Sequence, residues 1–336
     1  MTSTADRRTP ETDTGLSVRS PFLSVEALRA TAQALDGVAV RTPLIAVPAL
    51  ASRANVPVSL KGEQLQPVGA FKIRGAYTAI SRIPPEQRAR GVITYSSGNH
   101  GQAVAFAAQR LGIRSVVVMP QRAPAIKVEG VRRLGGEVVI AGNSSAERYE
   151  QARRMAEEQD LAMIPPYESL DVIAGQATCG VEILDEYPEV ETILVPVGGG
   201  GLIAGIAAAV AAIKPTVRVI GVEPVGAPKL SRALEAGQPV VLDHTESLAD
   251  GLLPLAIGKL PFAVLSGVVK ESAQVTESEI ADAVRFLYRE AGLSVEPSGA
   301  VTTAALLSRR VIPSGPAVAI VSGGNVDPEL LQRLVQ

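Results

Sequence analysis

Residues 91–110 read Gly-Val-Ile-Thr-Tyr-Ser-Ser-Gly-Asn-His-Gly-Gln-Ala-Val-Ala-Phe-Ala-Ala-Gln-Arg, and three local signals follow one another in them. The run 91–95 is short, apolar and rich in β-branched and aromatic residues, as a buried strand requires. Residues 96–101 are polar and glycine-containing, which marks a turn. Residues 102–110 are rich in alanine, the residue that costs a helix least. A strand that passes through a tight turn into a helix is the unit of parallel sheets, because parallel neighbours need a crossover.

The alternation continues on both sides of this unit. Downstream, 115–119 reads as a strand, a helix starts at Pro124 and stops at Gly135 and Gly136, 137–140 is a strand, and 144–159 is a charged, exposed helix. A second series has a helix at 172–187, a buried strand at 192–197, four glycines, an apolar helix at 202–213 and a strand at 217–223. Upstream, Ser24 caps a helix to about Leu35, with a strand at 58–61. The stretch 225–260 is irregular apart from a helix at 229–236. Thr276 and Glu279 have the spacing of a capping box for a helix to Ala291, and a helix from Pro297 and a strand at 317–321 close the fold.

This pattern predicts an α/β protein of two interleaved domains, each a mostly parallel sheet covered by helices. No repeat or low-complexity linker separates them. The tail at 1–21 is expected to be disordered.

The chain has 336 residues, enough for two lobes, and its net charge of −2 offers no electrostatic case for nucleic acid or an anionic membrane. One cysteine excludes a disulfide framework, and two histidines exclude a His/Cys zinc cluster. The longest apolar run, 202–213, is too short to span a bilayer. The tail has no apolar segment of the signal-peptide kind, so a cytoplasmic protein is expected. Cys179 is expected to be buried and His244 to lie on a surface loop.

Four stretches can carry chemistry. In 65–76, Leu-Gln-Pro-Val-Gly-Ala-Phe-Lys-Ile-Arg-Gly-Ala, Lys72 follows Gly69, Ala70 and Phe71. An amine among such neighbours loses hydration, its pKa falls, and it can attack a carbonyl as Schiff-base lysines do. A surface lysine on the first turn of a helix is the plainer alternative. The turn Ser96, Ser97, Gly98, Asn99, His100, Gly101 lies at the carboxyl end of a strand and opens a helix, whose free N–H groups suit a carboxylate. Gly198, Gly199, Gly200 and Gly201 can close their backbone amides around a phosphate, but lack the Gly-Lys-Ser/Thr ending of a nucleotide loop. Ser322, Gly323, Gly324 and Asn325 follow another apolar strand, where a hydroxyl could meet a ring nitrogen.

In this order the four stretches resemble the threonine dehydratase and serine racemase branch of the fold type II pyridoxal-phosphate enzymes, whose fold is tryptophan synthase β-like. The resemblance covers about residues 22–327 and is most specific at Phe71-Lys72-Ile73-Arg74-Gly75-Ala76. It implies a large domain of 22–90 and 169–336 that binds the cofactor and a small mobile domain of 91–168. It implies that Lys72 holds pyridoxal phosphate as a Schiff base, with Phe71 beside the ring and Asn99 on the ring hydroxyl. It implies that Gly198, Gly199, Gly200 and Gly201 hold the phosphate and that Ser322 meets the ring nitrogen. Ser96, Asn99 and His100 would receive the substrate carboxylate, Arg148 would swing toward it, and Ser97 would face Cα opposite Lys72 as an acid/base partner. The expected reaction is dehydration and deamination of a 3-hydroxy amino acid such as threonine or serine, by a homodimer acting on a small-molecule substrate.

Departures from the family pattern sharpen the expectation. Ala70 replaces a serine. Glu223 and the Ala227 carbonyl match a family cation site, but Lys229 stands where a third acid should, so no metal is expected and Lys229 should pair with Glu223. Tyr167 replaces an asparagine near the substrate, and Pro67 and Val68 replace residues linked to a nucleotide site, which disfavours ATP regulation. The chain ends soon after Ser322, so an isoleucine-binding regulatory domain is not expected. Three alternatives remain: an amino-acid racemase, a dehydratase for another substrate such as hydroxyaspartate or phenylserine, and, more distantly, a nicotinamide-dependent oxidoreductase reading Gly199, Gly201, Ala204 and Glu223 as a dinucleotide fingerprint.

Overall fold

The computed structural model describes residues 23–336 other than Ser97, Arg122, Pro124 and Asn143. The expected tail at 1–21 therefore lies outside the described residues, as does Ser97. Among the described residues ten strands form two sheets: β1 (Leu44–Ala46), β2 (Val58–Gly62), β3 (Val92–Tyr95), β4 (Ser115–Met119), β5 (Glu137–Ile140), β6 (Ala162–Met163), β7 (Thr192–Pro196), β8 (Arg218–Pro224), β9 (Glu271–Val275) and β10 (Ala317–Val321). The larger sheet has the order β1-β2-β10-β7-β8-β9, and the smaller β5-β4-β3-β6. Every pairing is parallel except β1 with β2 at the edge.

The central strands are buried along their whole length in β7, β10 and β4, as parallel strands covered on both faces should be. On one face of the larger sheet lie the helices Leu170–Glu186 and Gly201–Ile213, which touch closely because Gly205 carries no side chain: a Cβ there would lie 2.5 Å from the Ala177 nitrogen. The helices Glu277–Ala291 and Pro297–Leu307 contribute to the apolar cluster that also takes in Leu60, Leu194, Ile220 and Ala319 from the sheet. A seam between the sheets is built by Ile73, Ala76 and Ile80 of helix Lys72–Ser81 with Val104 and Ala107 of helix Asn99–Leu111 and Val172. The lysine singled out in the sequence thus opens the helix on which both units pack.

That helix is tied down by a buried charge network. Arg74, 1% exposed, donates from Nε and Nη2 to the Glu63 carboxylate at 2.8 Å each and from Nη1 to Glu182 at 2.6 Å. Lys61 lies 2.6 Å from Glu182, and its Nζ donates to the Thr42 carbonyl at 2.5 Å. Two carboxylates face two cations, so no charge in the network is left uncompensated.

The predicted caps Ser24 and Thr276 act as such, and Ser144 is a further one. Ser24 accepts from the Ala27 N–H, and Ser144 and Thr276 each complete a capping box with Glu147 and Glu279. Some elements differ from expectation by more than a residue. The helix after β3 starts at Asn99 and not at 102, because Gly98 takes the cap position and the polar turn winds directly into the helix. The helix expected from 172 begins at Leu170, capped by Ser169. The strand 317–321 does not close the fold: Asp327 caps a last helix, Pro328–Val335. Within the stretch expected to be irregular, Lys229–Ala236 is helical as predicted.

Candidate active site

Four turns at the carboxyl ends of parallel strands converge, the usual ligand position in open α/β sheets. The Phe71 N–H donates to the Ser322 carbonyl at 3.1 Å, Gly324 N–H to the Gly69 carbonyl at 2.9 Å, and Ala70 bridges Gly323. The stretch before Lys72 is therefore stitched to the turn after β10. Asn99 joins them: its Oδ1 accepts from Asn325 Nδ2 at 2.8 Å, while its own Nδ2 donates to Glu296 Oε1 at 2.7 Å.

Lys72 is the first residue of its helix, and its Nζ donates to the Pro166 carbonyl at 3.0 Å and lies 5.1 Å from the centre of the Phe71 ring. Burial lowers its pKa to about 8, against the pull of Glu296 in the other direction. A substantial neutral fraction near neutral pH is what a carbonyl-capturing amine needs. Ser322 is buried, its Oγ at 3.4 Å from the Ser298 carbonyl, so it keeps a neutral hydroxyl in the site.

The tetraglycine loop follows β7 and opens helix Gly201–Ile213, whose first N–H groups have no partner within the helix. Gly200 has φ +95°, and at Gly199 a Cβ would lie 2.1 Å from the Tyr167 ring. These positions require glycine, and the loop presents backbone amides at a helix N-terminus, a cradle for phosphate.

Other expected residues fall as follows. Ser96 precedes helix Asn99–Leu111, and its Oγ lies 3.4 Å from the Gly98 nitrogen. The His100 ring is buried with Nε2 3.1 Å from the Ile164 carbonyl, and burial pushes its pKa down to about 3. The imidazole is a neutral anchor for the turn, and what His100 can offer a carboxylate is its backbone N–H. Arg148 sits in the first turn of helix Ser145–Gln159, its Nη2 donating to Ser145 Oγ at 2.9 Å. Cys179 is buried, and His244 is exposed.

Glu223 and Lys229 are both fully buried. The Lys229 ammonium donates to the carbonyls of Ala227 at 2.8 Å and Val197 at 3.3 Å, with Glu223 Oε2 at 4.0 Å. Glu223 itself accepts from the Leu230 and Ser231 N–H groups, at 2.8 and 2.9 Å. Burial raises the Glu223 pKa and lowers that of Lys229 to about 8, each opposed by the other's charge. Among the described residues no group of three or more His, Cys, Asp or Glu could hold a metal ion.

A family model described as pyridoxal-phosphate dependent enzyme matches residues 35–323. The chain belongs to that family. The L-threonine ammonia-lyase of Thermotoga maritima is 41% identical over 278 residues, which are 83% of this chain and 69% of that protein. Maize serine racemase superposes with a TM-score of 0.89 at 37% identity, covering 92% of this chain and 96% of that one. The processed form of threonine deaminase isoform 2 from Solanum lycopersicum gives 0.87 at 36%, covering 93% and 88%. The nicotinamide alternative is overturned with this membership, and the fingerprint acid Glu223 is spent on the helix that follows it.

The residues present fit pyridoxal phosphate: a glycine cradle for its phosphate, a desolvated amine for its carbonyl carbon, the Asn99 amide for its ring oxygen and a neutral hydroxyl for its ring nitrogen. The sequence reading missed Glu296 and the part Asn325 plays in orienting Asn99. The available signal for Glu296 was its isolation, as the only charge between Gly292 and Ser308.

Proposed function

We propose that this protein is an ammonia-lyase that dehydrates a 3-hydroxy amino acid, with L-threonine and L-serine the first candidates; the enamine set free tautomerises to an imine, which takes up water and releases ammonia to leave a 2-oxo acid. The observation that carries this is Lys72: a buried amine of lowered pKa, held by the Pro166 carbonyl among the four converging turns. Bound pyridoxal phosphate supplies an electron sink for the charge released at Cα. Lys72, once the substrate amine has taken its place, is the base that removes the Cα proton. The N–H groups opening helix Asn99–Leu111, with Arg148, receive the substrate carboxylate. Ser322, being uncharged, does not hold the ring nitrogen protonated as a carboxylate would. The weaker sink favours prompt loss of the β-hydroxyl.

Serine, threonine, 3-hydroxyaspartate and phenylserine form the test panel, with coupled detection of 2-oxo acid and ammonia. Release of both from at least one is expected; release from none contradicts the proposal. Racemisation shares the first step, and the likeness to maize serine racemase favours it as a second activity. Ser97→Ala should abolish interconversion of enantiomers and spare elimination of the L-substrate.

We further infer a cytoplasmic homodimer, metal-independent because the Lys229 ammonium holds the place of a cation. Residues 22–90 and 169–336 would form the cofactor-holding domain and 91–168 a smaller domain that closes on it. The ion pair of Lys127 with Asp250, 2.5 Å across the two, supports a closed arrangement.

A further inference from the structure

Glu296 occupies the N-cap position of helix Pro297–Leu307, yet its side chain makes no capping bond. That position is ordinarily held by a short polar residue whose side chain accepts an N–H of its own helix. Its carboxylate accepts instead from Asn99 Nδ2, and room for it exists only because residue 323 is glycine: a Cβ there would lie 2.3 Å from Glu296 Oε1. The side chain is 5% exposed. Burial and Asp250 raise its pKa to about 7, while the Asn99 hydrogen bond and the ammonium groups of Lys127 and Lys72 oppose the rise. Burying a carboxyl at that expense points to a use beyond packing.

Hydrogen-bond directions show the use. Asn325 Nδ2 donates one hydrogen to the Val68 carbonyl and the other to Asn99 Oδ1, both at 2.8 Å. The Val68 carbonyl can only accept, so the Asn325 amide has one orientation, and Asn99 must present its oxygen to it. Glu296 accepts on the other side of Asn99. An inverted Asn99 amide would set oxygen against carboxylate and NH₂ against NH₂. One Nδ2 hydrogen of Asn99 is thus committed to Glu296, and the second is left with a fixed direction.

We propose that Glu296 is a positioning residue, which fixes the Asn99 amide so that its second Nδ2 hydrogen is presented to the ring oxygen of bound pyridoxal phosphate. This rests on the function proposed above, in which Asn99 meets that oxygen. Glu296 acts through Asn99 and not on the substrate.

The test is a titration of the apoprotein with pyridoxal phosphate, read as apparent Kd and as the absorption spectrum of the bound form. Wild type, Glu296→Ala, Glu296→Gln, Asn99→Ala and the Asn99→Ala/Glu296→Ala double variant are compared. Glu296→Ala should weaken binding about tenfold, the scale of one lost charge-assisted hydrogen bond. Glu296→Gln, whose amide oxygen accepts the same bond, should stay within about twofold of wild type. The double variant should bind no more weakly than Asn99→Ala alone, because the second change has nothing left to act through. Additive losses, a Glu296→Ala protein that binds and absorbs as wild type, or a Gln variant as weak as the Ala variant would each overturn the inference. A wild-type protein that takes up no pyridoxal phosphate would instead overturn the function on which it rests.

Discussion

Lys72 and Tyr167 are linked through one loop: Lys72 Nζ donates to the carbonyl of Pro166, and the next residue, Tyr167, lays its ring where side chains at Gly199 would stand. The loop leaving β6 therefore holds the proposed Schiff-base amine with its backbone and meets the tetraglycine loop with an aromatic ring. Amine and glycine loop are positioned by the same short segment.

The amine should report its environment in the pH dependence of cofactor capture. The Lys72 pKa is lowered from 10.5 to about 8, so its neutral, nucleophilic fraction grows as pH rises through 8. The rate at which apoprotein captures pyridoxal phosphate is expected to climb from pH 6.5, with a midpoint near 8, and to level off above 9. A rate still rising tenfold per pH unit at pH 9.5 would mean an ordinary, solvated lysine. Lys72→Arg should show no capture at any pH.

Gly199→Ala should damage the cradle. Its Cβ would fall 2.1 Å from the Tyr167 ring, so either the ring or the loop must move. Apparent affinity for pyridoxal phosphate is expected to fall by at least about tenfold, because several N–H groups aimed at one phosphate lose their common focus. Adding Tyr167→Ala should recover part of that loss. Unchanged affinity in Gly199→Ala would show that the loop does not grip the phosphate.

Arg74→Met tests the buried network beneath Lys72. Removing the guanidinium leaves the Glu63 and Glu182 carboxylates with only Lys61 between them. Breaking a buried pair from one side costs about 3–5 kcal/mol. Urea unfolding of the apoprotein should show a loss of that size, whereas exposed pairs such as Arg232 with Glu235 should matter little.

The strand-turn-helix units were legible because each carries its own punctuation: an apolar run, a glycine or serine turn, then alanine. Residues 115–119, 137–140, 229–236 and 317–321 fall where that punctuation puts them. The edge elements were not, since β1 has three residues, β9 is largely half-exposed, and helix Pro48–Ala54 lacks a side-chain cap. Lys72 and the glycine loop could be read locally, because desolvation and missing side chains leave marks in neighbouring residues. Glu296 could not, because its partner Asn99 is brought to it only by the tertiary fold, across 197 positions of chain. The partner of the His100 side chain could not be read for the same reason: the carbonyl that engages it belongs to Ile164, in a segment remote in sequence.

Lys229 predicts metal independence. With its ammonium on the carbonyls of Ala227 and Val197, and Val197 adjoining the phosphate loop, the position is already filled by a cation of the chain itself. Activity should be unchanged by chelators and by added magnesium or calcium. Marked activation by either ion would contradict this. Lys229→Met should weaken cofactor affinity without creating a response to chelators.

The most direct measurement of the central claim is the absorption spectrum of the purified protein before and after borohydride reduction, followed by mapping of the modified peptide. A band at about 410–420 nm is expected, lost on reduction, with the cofactor's mass left on Lys72. A colourless protein that pyridoxal phosphate does not reconstitute, or a label on any other lysine, would contradict it.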